Sequence, residues 1–116
     1  MANIITTRWG NGYVRDVEFF QEGGTVPLDL ENRRVFYTVK DNTTPDNDDK
    51  AKVKVELVKD ELVSNKAQLI LDKDDLKFPP ESYSADFKVF LNGNPTNTER
   101  IQHIHLDSVT KDDLDD

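Results

Sequence analysis

Residues 76–91 read LKFPPESYSADFKVFL, and this stretch decides the fold of the 116-residue chain. Its second half alternates between apolar and polar side chains, and one face collects Tyr83, Ala85, Phe87, Val89 and Leu91. Such alternation is typical of a strand with one side in a core, because successive side chains point to opposite faces. Two prolines before it, which cannot donate a ladder hydrogen bond, should mark its start. The turn residues 92–95 should end it, and a partner strand over residues 100–108 would complete a terminal hairpin.

Six shorter segments show the same period-two pattern, with turn residues between them: 4–9, 13–20, 25–30, 33–40, 51–58 and 67–71. Residues 72–76 can form one helical turn, but no long helical stripe appears. Short, regularly spaced strands indicate two packed antiparallel sheets. The sequence therefore predicts an all-β fold, a two-sheet immunoglobulin-like β-sandwich of about seven to eight strands. The residues expected to mark its core are Tyr37, Val55, Leu69, Tyr83, Phe87 and Val89.

The charge of the chain narrows the classes of partner. Lysine and arginine number 15 against 23 aspartates and glutamates, which gives a net charge of −8. Nucleic acids and anionic membranes require a cationic surface, so neither is expected to bind. Acidic residues concentrate in residues 41–49 and 111–116. We therefore expect one domain over residues 1–110, with a solvated acidic loop inside it, and an acidic C-terminal tail over residues 111–116.

The composition also bears on the compartment. The chain contains no cysteine, which excludes disulfides and thiolate chemistry. Its start, MANIITTRW, lacks both the basic and the apolar region of a signal peptide. No stretch approaches the roughly 20 apolar residues of a membrane helix. These features predict a protein of the cytoplasm, or one released by lysis, and they indicate no cofactor.

Two histidines are the best candidates for a metal site. His103 and His105 lie two residues apart, so a strand would place both on one face, as a metal pair requires. No third histidine and no HExxH motif accompanies them, and the acidic run 46–49 lacks the central glycine and distant glutamate of an EF-hand. We therefore predict no metal and no catalytic residue. The histidines are expected on a solvated strand face, with Ile104 and Leu106 turned toward the core.

Two aromatic residues flank the glycine turn at residues 10–12, which predicts the bend of a first hairpin. Trp9 and Tyr13, with Asn11 between them, could contact a partner protein or stack on a sugar. The interpretation that we favour is that Trp9 and Tyr13 cap one end of the sandwich core, since a lone tryptophan in a small domain is usually largely buried. If copies associate through this surface, the net charge predicts weaker association at low salt, where like charges repel over a longer range.

The elements before Tyr83 resemble one feature of immunoglobulin-like domains, the corner between their strands E and F. Leu69 and Leu71, a polar turn, and then Tyr83 and Ala85 follow one another in the order found at that corner. There a tyrosine hydroxyl bonds back to the corner backbone, and Ala85 would stand where such domains carry their second cysteine. The sequence leaves open whether Tyr83 makes this bond or only lines the mouth of a core.

A wider resemblance rests on the layout from Trp9 onward. The order of elements begins with a strand, a glycine turn, a PLDL segment and the strand RVFYTVK. It continues with an aspartate-rich loop, an amphipathic strand, the segment LILDKDDLKFPPESYSADFKVFL and a final strand ending DSVTKD. Over residues 13–111 this resembles the small immunoglobulin-like domains of tailed-phage structural proteins. Among these it is similar to the N-terminal domains of baseplate upper and receptor-binding proteins in phages of Gram-positive bacteria. Those domains commonly carry a glycine just before the strand-opening tyrosine, where this chain has Ser82.

The resemblance implies a non-catalytic domain that connects virion proteins, often within trimers or larger rings. Our leading hypothesis is therefore a phage virion protein of the tail, baseplate or a related part, located in the virion or, before lysis, in the host cytoplasm. Its partners would be other virion proteins or further copies of itself. The alternative is a carbohydrate-binding β-sandwich module of a bacterial surface or phage adsorption protein, with Trp9 and Tyr13 as the platform. A third hypothesis is a small hydrolase whose acidic residues converge in the fold.

Overall fold

A computed structural model describes residues 4–21, 24–40 and 51–107 of the chain. The acidic loop and the acidic tail expected from the sequence lie outside the described residues. The strands are β1 (Ile4–Arg8), β2 (Tyr13–Glu18), β3 (Arg33–Lys40), β4 (Val53–Glu56), β5 (Val58–Lys59), β6 (Lys66–Leu71), β7 (Glu81–Leu91) and β8 (Asn94–Leu106). One turn of 3-10 helix, Lys73–Leu76, follows β6 at the place where the sequence predicted a helical turn. The fold is all-β, as predicted.

The strands form two sheets. The five-stranded sheet has the order β1-β8-β7-β3-β4, and the three-stranded sheet has the order β2-β6-β5. All pairs are antiparallel except β1 and β8, which run parallel from the Ile4–Gln102 pair to the Arg8–Leu106 pair. The prediction of purely antiparallel sheets was therefore wrong for the larger sheet. Parallel pairing joins the start of the chain to its last described strand, a distant pairing that local alternation does not reveal.

One hydrophobic core draws on both sheets. The Phe87 ring of β7 contacts Phe19, which follows β2, edge-on at 5.9 Å, and it lies 4.8 Å from the ring of Tyr37 on β3. The predicted face of β7 is confirmed, since its alternating residues from Tyr83 to Val89 are buried. Five of the six predicted core markers are buried: Tyr37, Leu69, Tyr83, Phe87 and Val89. The sixth, Val55, is partly buried and packs against them.

The terminal hairpin is longer than the sequence indicated. Asn92 and Gly93 both have positive φ angles, of 54° and 83°, and they connect β7 to β8 in a two-residue turn of the kind that suits twisted hairpins. Strand β8 therefore begins at Asn94, six residues earlier than expected. Pro95 is tolerated there because the register shifts between Val89 and Phe90, and a proline can occupy such an irregularity.

Three other local predictions were wrong. The glycine turn at residues 10–12 does not close a hairpin, because β1 and β2 belong to different sheets. Residues 51–58 divide between β4 in the larger sheet and the start of β5 in the smaller one. Residues 25–30 form no strand; they contribute a single bridge, Phe20–Pro27, and Val26 is 52% exposed although Leu28 and Leu30 are buried.

Within the described ranges, no helix has both the length and the apolar character that a membrane crossing requires.

Candidate functional site

The predicted contact residues lie at one end of the molecule, where the chain passes from β1 to β2. The Trp9 N–H donates to the Leu106 carbonyl at 2.9 Å, which extends the β1–β8 pairing by one residue. The Gly10 N–H then donates to the carbonyl of Leu76, at the end of the 3-10 helix, over 3.3 Å. Gly10 has a φ of 76°, a conformation that favours glycine. These bonds fix the connection against both the last strand and the helix.

The side chains at this end are accessible. Trp9 is 38% exposed and Asn11 is exposed, whereas Tyr13 is half-buried and packs against the core. Trp9 therefore has most of its surface covered but keeps an accessible part. Tyr13 retains a polar contact, because its hydroxyl oxygen lies 3.5 Å from the Arg15 guanidinium.

Two exposed aliphatic side chains line the same groove as Tyr13. Val14 and Ile70 are directly opposite each other on β2 and β6, on the outer side of the three-stranded sheet, and they are 61% and 40% exposed. With Tyr13 they line a groove of about 460 Å³, whose other wall includes Asp72, Lys73 and Asp74. We call the residues Trp9, Asn11, Tyr13, Val14 and Ile70 the end surface. Alternation placed Val14 on the face opposite Tyr13, but its partner Ile70 depends on the β2–β6 register, which the sequence does not specify.

The two histidines lie inside the core, which corrects the prediction of a solvated face. His103 and His105 are 0% and 1% exposed, and Ile104 and Leu106 are the half-buried pair on the other side of β8. The Thr7 hydroxyl oxygen lies 2.8 Å from His103 Nε2 and 2.8 Å from His105 Nδ1. These bonds compensate the burial of polar groups that would otherwise be costly.

A fourth group completes this polar cluster. The Tyr37 hydroxyl oxygen lies 2.6 Å from His103 Nδ1, so both nitrogens of His103 have partners. Since the Thr7 hydroxyl has one proton, it donates to one imidazole and accepts from the other. The series Tyr37, His103, Thr7 and His105 is therefore a single directed chain of hydrogen bonds. Phe78 closes the far end by stacking on the His105 ring at 4.1 Å.

Burial keeps this cluster neutral. Removal from water, with a smaller contribution from the neighbouring His105, lowers the pKa of His103 to about 4. Burial also lowers the pKa of His105, although Asp107 and the backbone of Leu76 and Phe78 oppose part of that shift. No hydrogen bond of ordinary geometry reaches His105 Nε2 from the described residues. Burial raises the pKa of the Tyr37 hydroxyl.

The cluster does not have the form of a metal site. Both ring nitrogens of His103 are already hydrogen-bonded, and the described residues bring no three histidine or acidic side chains together in a ligating arrangement. The acidic run 46–49 lies outside the described residues.

A buried ion pair on the larger sheet was not foreseen. Lys40 Nζ lies 3.3 Å from Asp86 Oδ2, and the Thr38 hydroxyl donates to Asp86 Oδ1 at 2.6 Å. The side chains of Lys40 and Asp86 are only 3% and 6% exposed. Alternation along β3 and β7 placed both residues on the solvent side, where charged side chains are ordinarily exposed.

Comparison with known proteins identifies no family. No family model matches the sequence, and no curated protein matches it. Among solved structures, the chain is similar to a protein described as a "putative glycoside hydrolase" from Bacteroides vulgatus, with 9% sequence identity and a TM-score of 0.45. The similarity covers 87% of this chain, which spans 16% of the length of that protein. A likeness at this level carries no argument about function.

Proposed function

We propose that this chain is a non-catalytic immunoglobulin-like β-sandwich domain that connects proteins within a phage virion, in the tail, the baseplate or a related part. The observation that carries the proposal is the end surface. It combines an exposed tryptophan, on backbone held by hydrogen bonds, with two exposed aliphatic side chains, Val14 and Ile70, that lie opposite each other on β2 and β6. Aromatic residues are enriched in protein–protein contacts, and energetically important contacts cluster around such anchors.

The strand order supports the immunoglobulin-like assignment. In variable-type domains one sheet contains strands G, F, C and C′, and the other contains B, E and D. Here β8, β7, β3 and β4 stand in the first order, and β2, β6 and β5 stand in the second. The Tyr83 hydroxyl also donates to the Pro79 carbonyl at 2.6 Å, which is the bond expected of a tyrosine at the corner before strand F.

The state of the histidines supports a non-catalytic role. A general acid or base must reach a substrate within hydrogen-bond distance, directly or through one water molecule. His103 and His105 are enclosed in the core, and their contacts are with Thr7, Tyr37 and Phe78. The cluster therefore serves the packing between β1, β3 and β8.

The test is capture of a virion protein through the end surface. Immobilised protein is incubated with phage or lysogen lysate, and bound proteins are identified by mass spectrometry. The proposal expects a virion component to be retained by the natural chain and lost with Trp9→Ala and with Val14→Asp. Val26→Asp is the matched control, because Val26 is similarly exposed at 52% and lies outside the end surface. Equal capture by all variants, or no virion protein at all, contradicts the proposal.

The exposure of Trp9 also favours a second candidate, the carbohydrate-binding module. A sugar platform requires an accessible aromatic face, and the 38% exposure of Trp9 provides part of one. Titration with host cell-wall saccharide distinguishes the two functions. Quenching of Trp9 fluorescence by the saccharide, together with failure to capture any virion protein, favours the carbohydrate-binding module.

A further inference from the structure

The outer side of the five-stranded sheet carries an apolar groove with a cationic rim. Its floor is formed by Phe36 on β3 and Phe90 on β7, whose rings meet edge-to-face at 5.5 Å. Arg34, Lys54 and Lys88 also line this groove, which has a volume of about 510 Å³. We call it the Phe36–Phe90 groove. In a chain with a net charge of −8, three cationic side chains around two aromatic rings form a local surface of opposite sign.

The rim is held in place before any ligand arrives. Arg34 donates to both carboxylate oxygens of Glu56, at 2.9 Å and 2.7 Å. The same guanidinium lies over the Phe36 ring, 5.0 Å from its centroid. A bidentate pair fixes the orientation of an arginine more strongly than a single contact does. The groove is thus an ordered surface, with the charge of Arg34 partly neutralised by Glu56 and a further cationic group on Lys54.

The loop between β5 and β6 carries side chains of complementary character. Leu62 is 93% exposed, the highest value among the large apolar residues of the described chain. It follows Asp60 and Glu61, and a cavity of about 430 Å³ beside it is lined also by Asp29 and Glu31. One cation, Lys59, lines this cavity too, and its Nζ donates to the backbone carbonyls of Leu30 and Arg33. We call Leu62 with these acidic residues the Leu62 loop. An exposed leucine among carboxylates is matched in apolar character and in charge to the groove.

The Leu62 loop is also ordered. The Asp60 carboxylate accepts hydrogen bonds from the backbone N–H groups of Leu62 and Val63, at 2.7 Å and 2.9 Å. The Asp60 N–H donates to the Lys66 carbonyl at 2.9 Å, which ties the loop to the start of β6. A fixed loop loses little conformational freedom when it is bound, so more of the contact energy appears as affinity.

We propose that the Leu62 loop of one copy of this chain docks in the Phe36–Phe90 groove of a second copy. Leu62 is almost fully exposed in its own chain, so it does not occupy that chain's own groove. The contact would bury the leucine against Phe36 and Phe90 and bring Glu61 toward Lys54. It joins two different patches, as a heterologous contact does, and it does not involve the end surface.

The proposed contact predicts a specific salt dependence of self-association. Attraction between the acidic loop and the cationic rim is screened by salt, so self-association should weaken as ionic strength rises from about 0.1 M to about 0.5 M. The net charge of −8 alone predicts the reverse trend, because salt relieves repulsion between like-charged copies. Sedimentation velocity over a range of protein concentrations measures both trends directly.

Variants of exposed residues test the two patches without disturbing the core. Leu62→Ser should raise the dissociation constant of self-association about tenfold or more, because it removes most of the apolar surface that the contact buries. Val26→Ser is its matched control and should leave the constant unchanged. Lys54→Glu should also weaken association. Lys73→Glu, which alters net charge equally at an exposed site that lines neither patch, should weaken it less.

Charge exchange gives the sharpest arm of the experiment. Glu61→Lys alone should weaken association, and the double variant with Lys54→Glu and Glu61→Lys should recover it, because the pair is then reversed. The proposal is overturned if the natural chain stays monomeric up to about 1 mM at about 0.1 M salt, or if Leu62→Ser has no effect. It is also overturned if the double variant is no better than the single ones. Trp9→Ala should leave this self-association unchanged. The experiment therefore tests the groove contact independently of the proposal that the end surface binds a virion protein.

Discussion

The hydroxyl of Tyr83 donates a hydrogen bond of 2.6 Å to the backbone carbonyl of Pro79, four residues earlier in the chain. The Tyr83 ring is buried, and Phe78 packs against it edge-on at 5.0 Å. The bond therefore ties the segment after the 3-10 helix to the start of β7, the strand that pairs with both β3 and β8. It fixes where the chain enters the larger sheet.

Tyr83→Phe should lower the free energy of unfolding by about 1 kcal/mol, because it removes one intramolecular hydrogen bond and keeps the ring. Pro79 is exposed, so water can solvate the carbonyl that is released. Urea denaturation measures the change. Tyr13→Phe is the control, since its hydroxyl has only a 3.5 Å contact with Arg15, and a change below about 0.5 kcal/mol is expected. Equal losses in both variants would contradict a special role for the Tyr83 bond.

Phe87→Ala should cost about 3–5 kcal/mol of stability, the usual range for a buried phenylalanine. Phe87 is 2% exposed and contacts the rings of Phe19 and Tyr37, so truncation leaves a cavity at the junction of the two sheets. Phe20→Ala provides the comparison, because Phe20 is 41% exposed and should lose much less. Denaturant unfolding of the two variants distinguishes them. A loss below about 1 kcal/mol for Phe87→Ala would place this side chain outside the core.

The sequence predicted strands well where one face is uniformly apolar. The faces of Val35, Tyr37 and Val39 on β3 and of Tyr83 to Val89 on β7 are buried as expected, because alternation with a clear contrast in polarity has one favourable orientation. The same reasoning failed on β8. There the apolar Ile104 and Leu106 compete with a face that carries two histidines, and hydropathy selects the wrong side.

The deciding interactions on β8 come from distant parts of the chain. His103 and His105 are stabilised inside by Thr7 on β1 and, for His103, by Tyr37 on β3, partners that lie 96 to 98 and 66 residues away. A polar face can be buried once its hydrogen bonds are made. Thr7 is brought there by the parallel β1–β8 pairing, and Tyr37 by the order β8-β7-β3 in the same sheet. The end surface was likewise predictable only in part. Trp9, Asn11 and Tyr13 could be identified from the local sequence, whereas Ile70 joins them only through the β2–β6 pairing.

Removal of metal should have no effect on stability. Excess chelator is expected to leave the melting temperature unchanged, because a ligand that binds only the native state raises apparent stability and its removal would lower it. The expectation follows from His103, whose two ring nitrogens both have hydrogen-bond partners. Differential scanning calorimetry with and without chelator provides the measurement. A clear drop in melting temperature would instead indicate a metal site involving the histidines or residues 41–49.

Stability should decline as the pH falls from neutral toward about 4, and His103 should account for a defined part of the decline. Its folded pKa of about 4 lies below the ordinary value of 6.5, so between these values the unfolded chain binds a proton that the folded chain does not. The stabilisation from a neutral His103 is therefore complete above pH 6.5 and is lost progressively below it. From about pH 7.5 to about pH 5 the loss should be about 2 kcal/mol, with a further contribution of the same sign from His105.

Urea denaturation at several pH values gives this slope, and His103→Gln isolates the share of one residue. Glutamine retains hydrogen-bonding groups but does not titrate, so the variant should be less stable at about pH 7.5 and should lose less stability on acidification than the natural chain. Carboxylates titrate in both proteins and cancel in the comparison. An NMR titration of the His103 ring in the folded protein is the independent check. A midpoint near the ordinary value of 6.5, or parallel slopes for the two proteins, would mean that His103 is not held neutral by burial.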